Sequence, residues 1–240
     1  MKPTISVIIP ALNEEANIAA AVREAVTALG DRFADYELLL FDDGSADRTG
    51  TIMDALAAGD PRHIRVTHNP APRNLGGVYK QGIDLARMEY VLMVPGDNEN
   101  PGHALQAPFD AIGRADIVLP YPVNSGVRGT ARHTVSRIYV GLLNRLFGLR
   151  VRYYNGTVIH RTANLKGLRI KTSSFAYQAE ILIKLLCAGK SFVEVPIRIE
   201  APKGGRRSRA FRWRNMVQVG RTVGDLFVDL RLRRLSPLGH

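Results

Sequence analysis

The chain has a single cysteine, Cys187, so no internal disulfide can form. That residue lies in an apolar run at helical spacing and reads as packing rather than as a nucleophile. Long hydrophobic runs are missing too: none approaches the ~18–20 residues that span a bilayer as a helix. Met1-Lys2-Pro3-Thr4 leads straight into a strand pattern, without a signal peptide's apolar stretch and cleavage site. The expected location is therefore the cytoplasm. No G-x-G-x-x-G follows the first strand pattern, and no G-x-x-x-x-G-K-S/T occurs. Their absence argues against a dinucleotide fingerprint and a P-loop. His63, His68, His103, His133, His160 and His240 show no paired ligand spacing, and none is read as a metal ligand. There is no internal repeat and no low-complexity segment.

What is present is ordinary in amount and uneven in place. With 240 residues, 45% of them hydrophobic and 23% charged, the chain can bury a proper core. The net charge of +11 divides sharply. Residues 1–125 hold 10 Lys/Arg and 17 Asp/Glu, residues 126–202 hold 13 and 3, and residues 203–240 hold 10 and 2. An acidic first half and a basic second half suggest two jobs. The basic part suits nucleic acid, an anionic membrane or phosphorylated substrates.

Along the chain, short β-rich runs alternate with helical patterns. Ile5 to Ile9, Leu38 to Phe41, Ile64 to Val66, Tyr90 to Val94 and Ile117 to Leu119 read as strands. Leu12-Asn13-Glu14-Glu15 reads as the opening of a helix with Asn13 as its cap, and Gly30-Asp31 as its end. Further helices follow residue 49 and residue 73. This order predicts an α/β fold, a doubly wound and mostly parallel sheet with flanking helices. Such sheets bind ligands beyond the carboxyl ends of their strands. Two strand ends place acids there, at Asp42/Asp43 and at Asp97/Glu99. Hard carboxylate oxygens at that edge suit Mg²⁺ or Mn²⁺ held against a diphosphate. The alternative is a solvated turn rich in Asp, Asn and Gly.

In the second half, residues 120–133 read as a loop exposing Arg128 and Arg132, and residues 135–147 as an amphipathic helix. Tyr154 to Thr157 reads as a turn before Val158-Ile159. Phe175 to Ala188 reads as a helix carrying Glu180, and Phe192 to Ile197 as a late strand. Gly204 to Arg209 is a basic loop. The last segment is a basic amphipathic helix, with Met216, Val219, Val223, Leu226 and Leu230 as its stripe. That stripe suits either an anionic membrane surface or docking on the domain or a second subunit.

With these residues in view, the chain resembles the inverting family 2 glycosyltransferases of the GT-A fold, and within them the dolichol- or polyprenyl-phosphate mannose synthase type. The resemblance covers about residues 4–210 and runs through six pieces in order. They are Val7 to Glu14, Phe41 to Thr49, Leu75 to Gly82, Asn155-Gly156, Phe175 to Glu180, and Glu194 to Ile197. It implies one GT-A domain over residues 1–210, with a nucleotide-sugar half at 1–119, an acceptor half at 120–210 and the basic helix at 211–240. It also implies that Pro10, Leu12, Asn13, Glu14, Asp42, Asp43, Gly76, Lys80 and Asp97 meet the UDP- or GDP-sugar. Arg206, Arg207 and Arg209 fall where that type has its Ser-Lys loop. One motif departs from the pattern. In place of Asp-x-Asp followed two residues later by Gln, this chain has Pro95-Gly96-Asp97-Asn98-Glu99. Pro95 takes the place of the first acid and Glu99 that of the Gln.

The chemistry implied is sugar transfer with inversion. A divalent ion on Asp97 and Glu99 would neutralise the leaving diphosphate. A polyprenyl phosphate acceptor is already an anion and needs positioning by cations, for which Arg128 and Arg132 are the candidates. A soluble hydroxyl acceptor needs a base instead, and Glu180 is the first candidate. Homodimer and membrane contacts both remain open partners for residues 134–147 and 211–234. A nucleic-acid module is disfavoured, since only Phe211 and Trp213 interleave with the basic tail.

Overall fold

The computed structural model describes residues 1–99, 102–174, 176–200, 213–232 and 236–237, with the backbone alone at 128, 130–132 and 213–217. Its strands are β1 (Thr4–Ala11), β2 (Asp35–Asp42), β3 (Ile64–His68), β4 (Tyr90–Met93), β5 (Ile117–Pro122), β6 (Ile159–Arg161) and β7 (Phe192–Ile197). Its helices are α1 (Ile18–Leu29), α2 (Thr49–Gly59), α3 (Asn74–Leu85), α4 (His103–Asp110), α5 (Thr130–Phe147), α6 (Thr162–Leu165), α7 (Tyr177–Cys187) and α8 (Trp213–Phe227). The strands form one sheet in the order β3-β2-β1-β4-β6-β5-β7. Every pairing is parallel except the two made by β6.

Both faces of the sheet are covered, which is why its strands read as nearly unbroken apolar runs. Successive residues of a strand point to opposite faces. Val7, Ile9, Leu38, Leu40 and Leu92 pack against α1, α2 and α4. Ile8, Leu39, Phe41, Val91 and Met93 pack against α3, α5 and α7. Val223 and Leu226 of α8 are buried in this second cluster, so the apolar stripe of that helix faces the domain. Among the described residues no helix is long and apolar enough to cross a membrane.

The structure differs from the sequence expectations at four places. First, α1 begins at Ile18, and Asn13 is not its cap. Asn13 has φ 56°, a left-handed turn that an asparagine tolerates better than most residues. Second, residues 120–133 are not a loop. β5 runs to Pro122, a 3₁₀ turn covers Ser125–Arg128, and α5 starts at Thr130. Pro120 and Pro122 read as breakers, but β6 pairs with β5 only at Ile117 and Val118. Beyond that point β5 has one neighbour, β7, and proline is tolerated along such an edge. Third, β6 is a short antiparallel strand between β4 and β5. Fourth, Cys187 is exposed at the end of α7 and is not a core residue.

β6 carries His160, which is 0% exposed and lies within hydrogen-bond distance (3.0 Å) of Gln178 Nε2 on α7 through its Nε2. Its Nδ1 has no hydrogen-bond partner among the described residues. Burial drives its pKa from 6.5 down to about 3. The folded imidazole therefore stays neutral where the unfolded one takes up a proton. Stability is expected to be intact above pH 6.5 and to fall as pH drops from there towards 3. The loss should approach about 1.4 kcal/mol per pH unit from this group. Denaturant melts across that range test it: His160→Gln, which keeps a partner for Gln178, should flatten the slope by about one proton.

Candidate active site

The carboxyl ends of β1, β2 and β4 meet at one edge. Pro10 O accepts from Gly96 N (2.9 Å) and Ala11 O accepts from Asp43 N (2.9 Å), so the exit of β1 is held between the other two. A side chain at Gly96 would place its Cβ 2.9 Å from Ile18 Cδ1 and 3.1 Å from Ala11 Cβ. The glycine of Pro95-Gly96-Asp97 is thus what lets Asp97 follow β4 so closely. Past β1, the loop is laced to residues 45–49. Asn13 N donates to Ser45 Oγ (3.0 Å), Asn13 Oδ1 accepts from Ala46 N (2.8 Å), and Glu14 N donates to Thr49 Oγ1 (2.8 Å). Pro10, Leu12, Asn13, Glu14, Asp42, Asp43 and Asp97 are thereby gathered at this edge.

The two acids at the end of β2, Asp42 and Asp43, are turned inward and are 8% and 6% exposed. Asp42 accepts from Ser45 N (2.9 Å) and meets His68 Nδ1 at 3.2 Å. Burial raises its pKa, but the bonds from Ser45 and His68 outweigh it and hold the carboxyl below its ordinary value. His68 is raised in turn by its bonds to Asp42 and Asp54. Asp43 accepts from Arg73 N (2.8 Å), Asn74 N (3.1 Å) and Asn69 Nδ2 (3.0 Å). It holds the backbone where α3 begins. His68 escaped the motif reading, yet it pairs in register with Asp42 across β2 and β3, and that register is the signal that could have found it.

The loop after β4 presents Asp97 and Glu99, both half-buried. Glu99 N donates to Asp97 Oδ1 (3.1 Å) across Asn98, whose φ is 53°. Among the described residues no group of three or more His, Cys, Asp or Glu stands ready to hold a metal. Two adjacent hard carboxylates with the first one oriented by a backbone N–H fit a cation that draws its other oxygens from a diphosphate and water.

A second cluster joins the two halves. A Cβ at Gly76 would lie 2.8 Å from the backbone of Ser173, and Gly76 N donates to Ser173 O (3.2 Å). Lys80 Nζ donates to Ser173 Oγ (3.0 Å). Lys80 and Gly76 therefore belong to this contact with segment 171–174. Glu180, on α7, is 0% exposed. It accepts from Lys171 N (2.8 Å), Thr172 N (2.9 Å) and Lys184 Nζ (2.7 Å). Both its oxygens accept hydrogen bonds, and the residue also lines a cleft beside this segment. That cleft, of about 290 Å³, is lined by Asn74, Ser173, Ser174, Arg221, Thr222 and Asp225 among others. Arg128 ends the 3₁₀ turn and Arg132 lies in the first turn of α5. Arg206, Arg207 and Arg209 lie outside the described residues.

The fold has close counterparts of known structure. Glucosyl-3-phosphoglycerate synthase from Mycobacterium tuberculosis, in complex with UDP, superposes with a TM-score of 0.69 at 20% identity, covering 94% of this chain and 80% of that one. The same synthase has been solved with Mn²⁺, UDP and glucosyl-3-phosphoglycerate. A largely parallel seven-stranded sheet with its acids on the carboxyl edge is here the GT-A framework of a glycosyltransferase. The chain belongs to glycosyl transferase family 2, whose model matches residues 6–172. Its relatives include the polyprenol monophosphomannose synthase of Mycolicibacterium smegmatis, 29% identical over 207 residues, 80% of this chain and 75% of that one. They also include the undecaprenyl-phosphate mannosyltransferase of Micrococcus luteus, 26% identical over 204 residues, 79% of this chain and 81% of that one.

Proposed function

We propose that this glycosyltransferase moves a sugar from a UDP- or GDP-sugar to a polyprenyl phosphate, with inversion at the anomeric carbon. Its relatives are named for polyprenol and undecaprenyl-phosphate acceptors. The observation that carries the choice of acceptor is the state of Glu180. From Ile117 to Ala179 the chain contains no aspartate or glutamate, and Glu180 is already bound by Lys184 and two backbone N–H groups. Across that acid-free stretch a hydroxyl acceptor would find no carboxylate base, and the one that follows it, Glu180, is engaged. A phosphate oxygen needs none, because it is ionised at neutral pH.

In this reading the laced loop after β1 and residues 42–49 hold the nucleoside. Asp97 and Glu99 hold Mg²⁺ or Mn²⁺, which supplies Lewis-acid neutralisation of the leaving diphosphate. Arg128 and Arg132 orient the acceptor phosphate, and Arg206, Arg207 and Arg209 share the donor's charge. Lys171 to Ser174 are fixed by Glu180 and press on the start of α3. They set the acceptor half against the donor half. A soluble phosphorylated acceptor is the second reading. It draws on the neighbour solved with glucosyl-3-phosphoglycerate, a likeness of fold alone.

The deciding assay follows nucleoside diphosphate release from a panel of UDP- and GDP-sugars, with Mg²⁺ or Mn²⁺, with and without a polyprenyl phosphate. Release that requires the lipid phosphate and stops with a chelator is the expected outcome. Slow release indifferent to the lipid would transfer the search to soluble acceptors.

A further inference from the structure

The second half of the molecule has an apolar face that the fold leaves uncovered. α5 buries Leu143 and Phe147 against the domain, and Tyr139, Val140 and Leu146 pack beside them. On its other side Val135, Ile138 and Leu142 are 43%, 66% and 49% exposed. Their spacing of three and four puts them in one stripe along the helix. Val123 and Val127, in the segment leading to α5, are exposed as well. A helix that packs one side on a core and shows aliphatic side chains on the other has a second partner to meet.

The charge around the stripe says what kind. Arg137 and Arg145 are exposed on α5, and neither takes part in an ion pair among the described residues. The acid-free stretch from Ile117 to Ala179 carries ten lysines and arginines and includes the whole helix. A second copy docked through the same face would bring two such basic surfaces together. An anionic bilayer complements the arginines and takes the aliphatic side chains into its headgroup–acyl boundary.

We propose that the outer face of α5 seats the protein on an anionic lipid surface, with Val135, Ile138 and Leu142 entering the boundary and Arg137 and Arg145 meeting headgroup phosphates. Of the two segments the sequence offered for this role, α5 is the one with its outer face free, because Val223 and Leu226 of α8 are already used in the core. The proposal stands on this face and not on the identity of the acceptor.

The test is flotation of the full chain with phosphatidylcholine vesicles, with or without phosphatidylglycerol and free of any polyprenyl phosphate. Binding is expected with phosphatidylglycerol, weak without it, and reduced by salt over the range where the Debye length shrinks. The double variant Ile138→Asp, Leu142→Asp should lose about tenfold or more of the bound fraction, since each charge would enter the boundary. Its unfolding midpoint should not move, because both side chains are exposed. No binding to the anionic vesicles, or binding unchanged in that variant, overturns the proposal. So does a dimer, seen by light scattering, that the same variant dissociates. Flotation without any lipid-dependent transfer leaves the seat standing and removes the polyprenyl acceptor. Transfer to a detergent-dispersed acceptor without flotation does the reverse.

Discussion

Asp97→Asn is expected to lower sugar transfer by about 10³-fold or more, with folding intact. The substitution keeps the shape of the side chain, and an amide oxygen can still accept from Glu99 N, now at 3.1 Å from Asp97 Oδ1. What disappears is the negative charge on a hard oxygen at the exit of β4. Metal neutralisation of a leaving group is worth several kcal/mol, and ~4 kcal/mol is a factor of about 10³ in rate. Pro95 stands where the resemblance places a first acid, so no carboxylate two residues upstream can take over. Product formation titrated with Mn²⁺ measures both the rate and the apparent metal requirement. An undiminished rate at low Mn²⁺ would remove Asp97 from the site. Glu99→Gln should have the smaller effect of the two, because Glu99 contributes its backbone N–H to Asp97 whatever its side chain.

Glu180→Ala is expected to destabilise the fold by about 3–5 kcal/mol, the usual cost of removing one partner of a buried ion pair. Lys184 is only 6% exposed and would be left charged without its carboxylate. Two backbone N–H groups, at Lys171 and Thr172, would lose their acceptor at the same time. Chemical denaturation reads the loss directly. The same residue was the candidate base for a hydroxyl acceptor, and the two roles separate cleanly. A strut loses stability while the surviving folded fraction keeps its pH–rate profile. A base loses turnover at full stability, and the acidic limb of the profile goes with it. Normal stability with no turnover in Glu180→Ala would restore the base.

Glu180 and Lys184 illustrate where reading the chain stopped. Their i, i+4 spacing is visible in the sequence, and an ion pair is one of its meanings. Which meaning holds depends on burial, and burial of α7 depends on α3 and α8 packing over it. The framework was legible because strands covered on both faces must be largely apolar, as Val7 to Ile9, Leu38 to Phe41 and Tyr90 to Met93 are. β6 was not legible as a strand, since three residues, two of them His160 and Arg161, carry no period. The start of α5 was hidden behind Pro120 and Pro122, which break strands in general but not one with a free edge. At the site, the loops after β1, β2 and β4 that carry the motifs come together at one edge. The motifs did not say that Asp43 would face the start of α3, or that Lys80 would reach Ser173. Those directions come from turns at Asn13, Gly44 and Asn74, each with positive φ, and such turns have many sequence solutions.

The position of β6 also sets an order of assembly. β1, β2, β3 and β4 are neighbours in the sheet and are all complete by Met93. They can pair as soon as they leave the ribosome. β5 is made next, but its neighbours are β6 and β7, not β4. Ile117–Pro122 must wait until Ile159–Arg161 has been synthesised before it can join the rest, and until then the open edge of β4 is unguarded. The strands of the half that carries the acids can thus pair first, while β5 and β7 join that sheet only through β6, which arrives late.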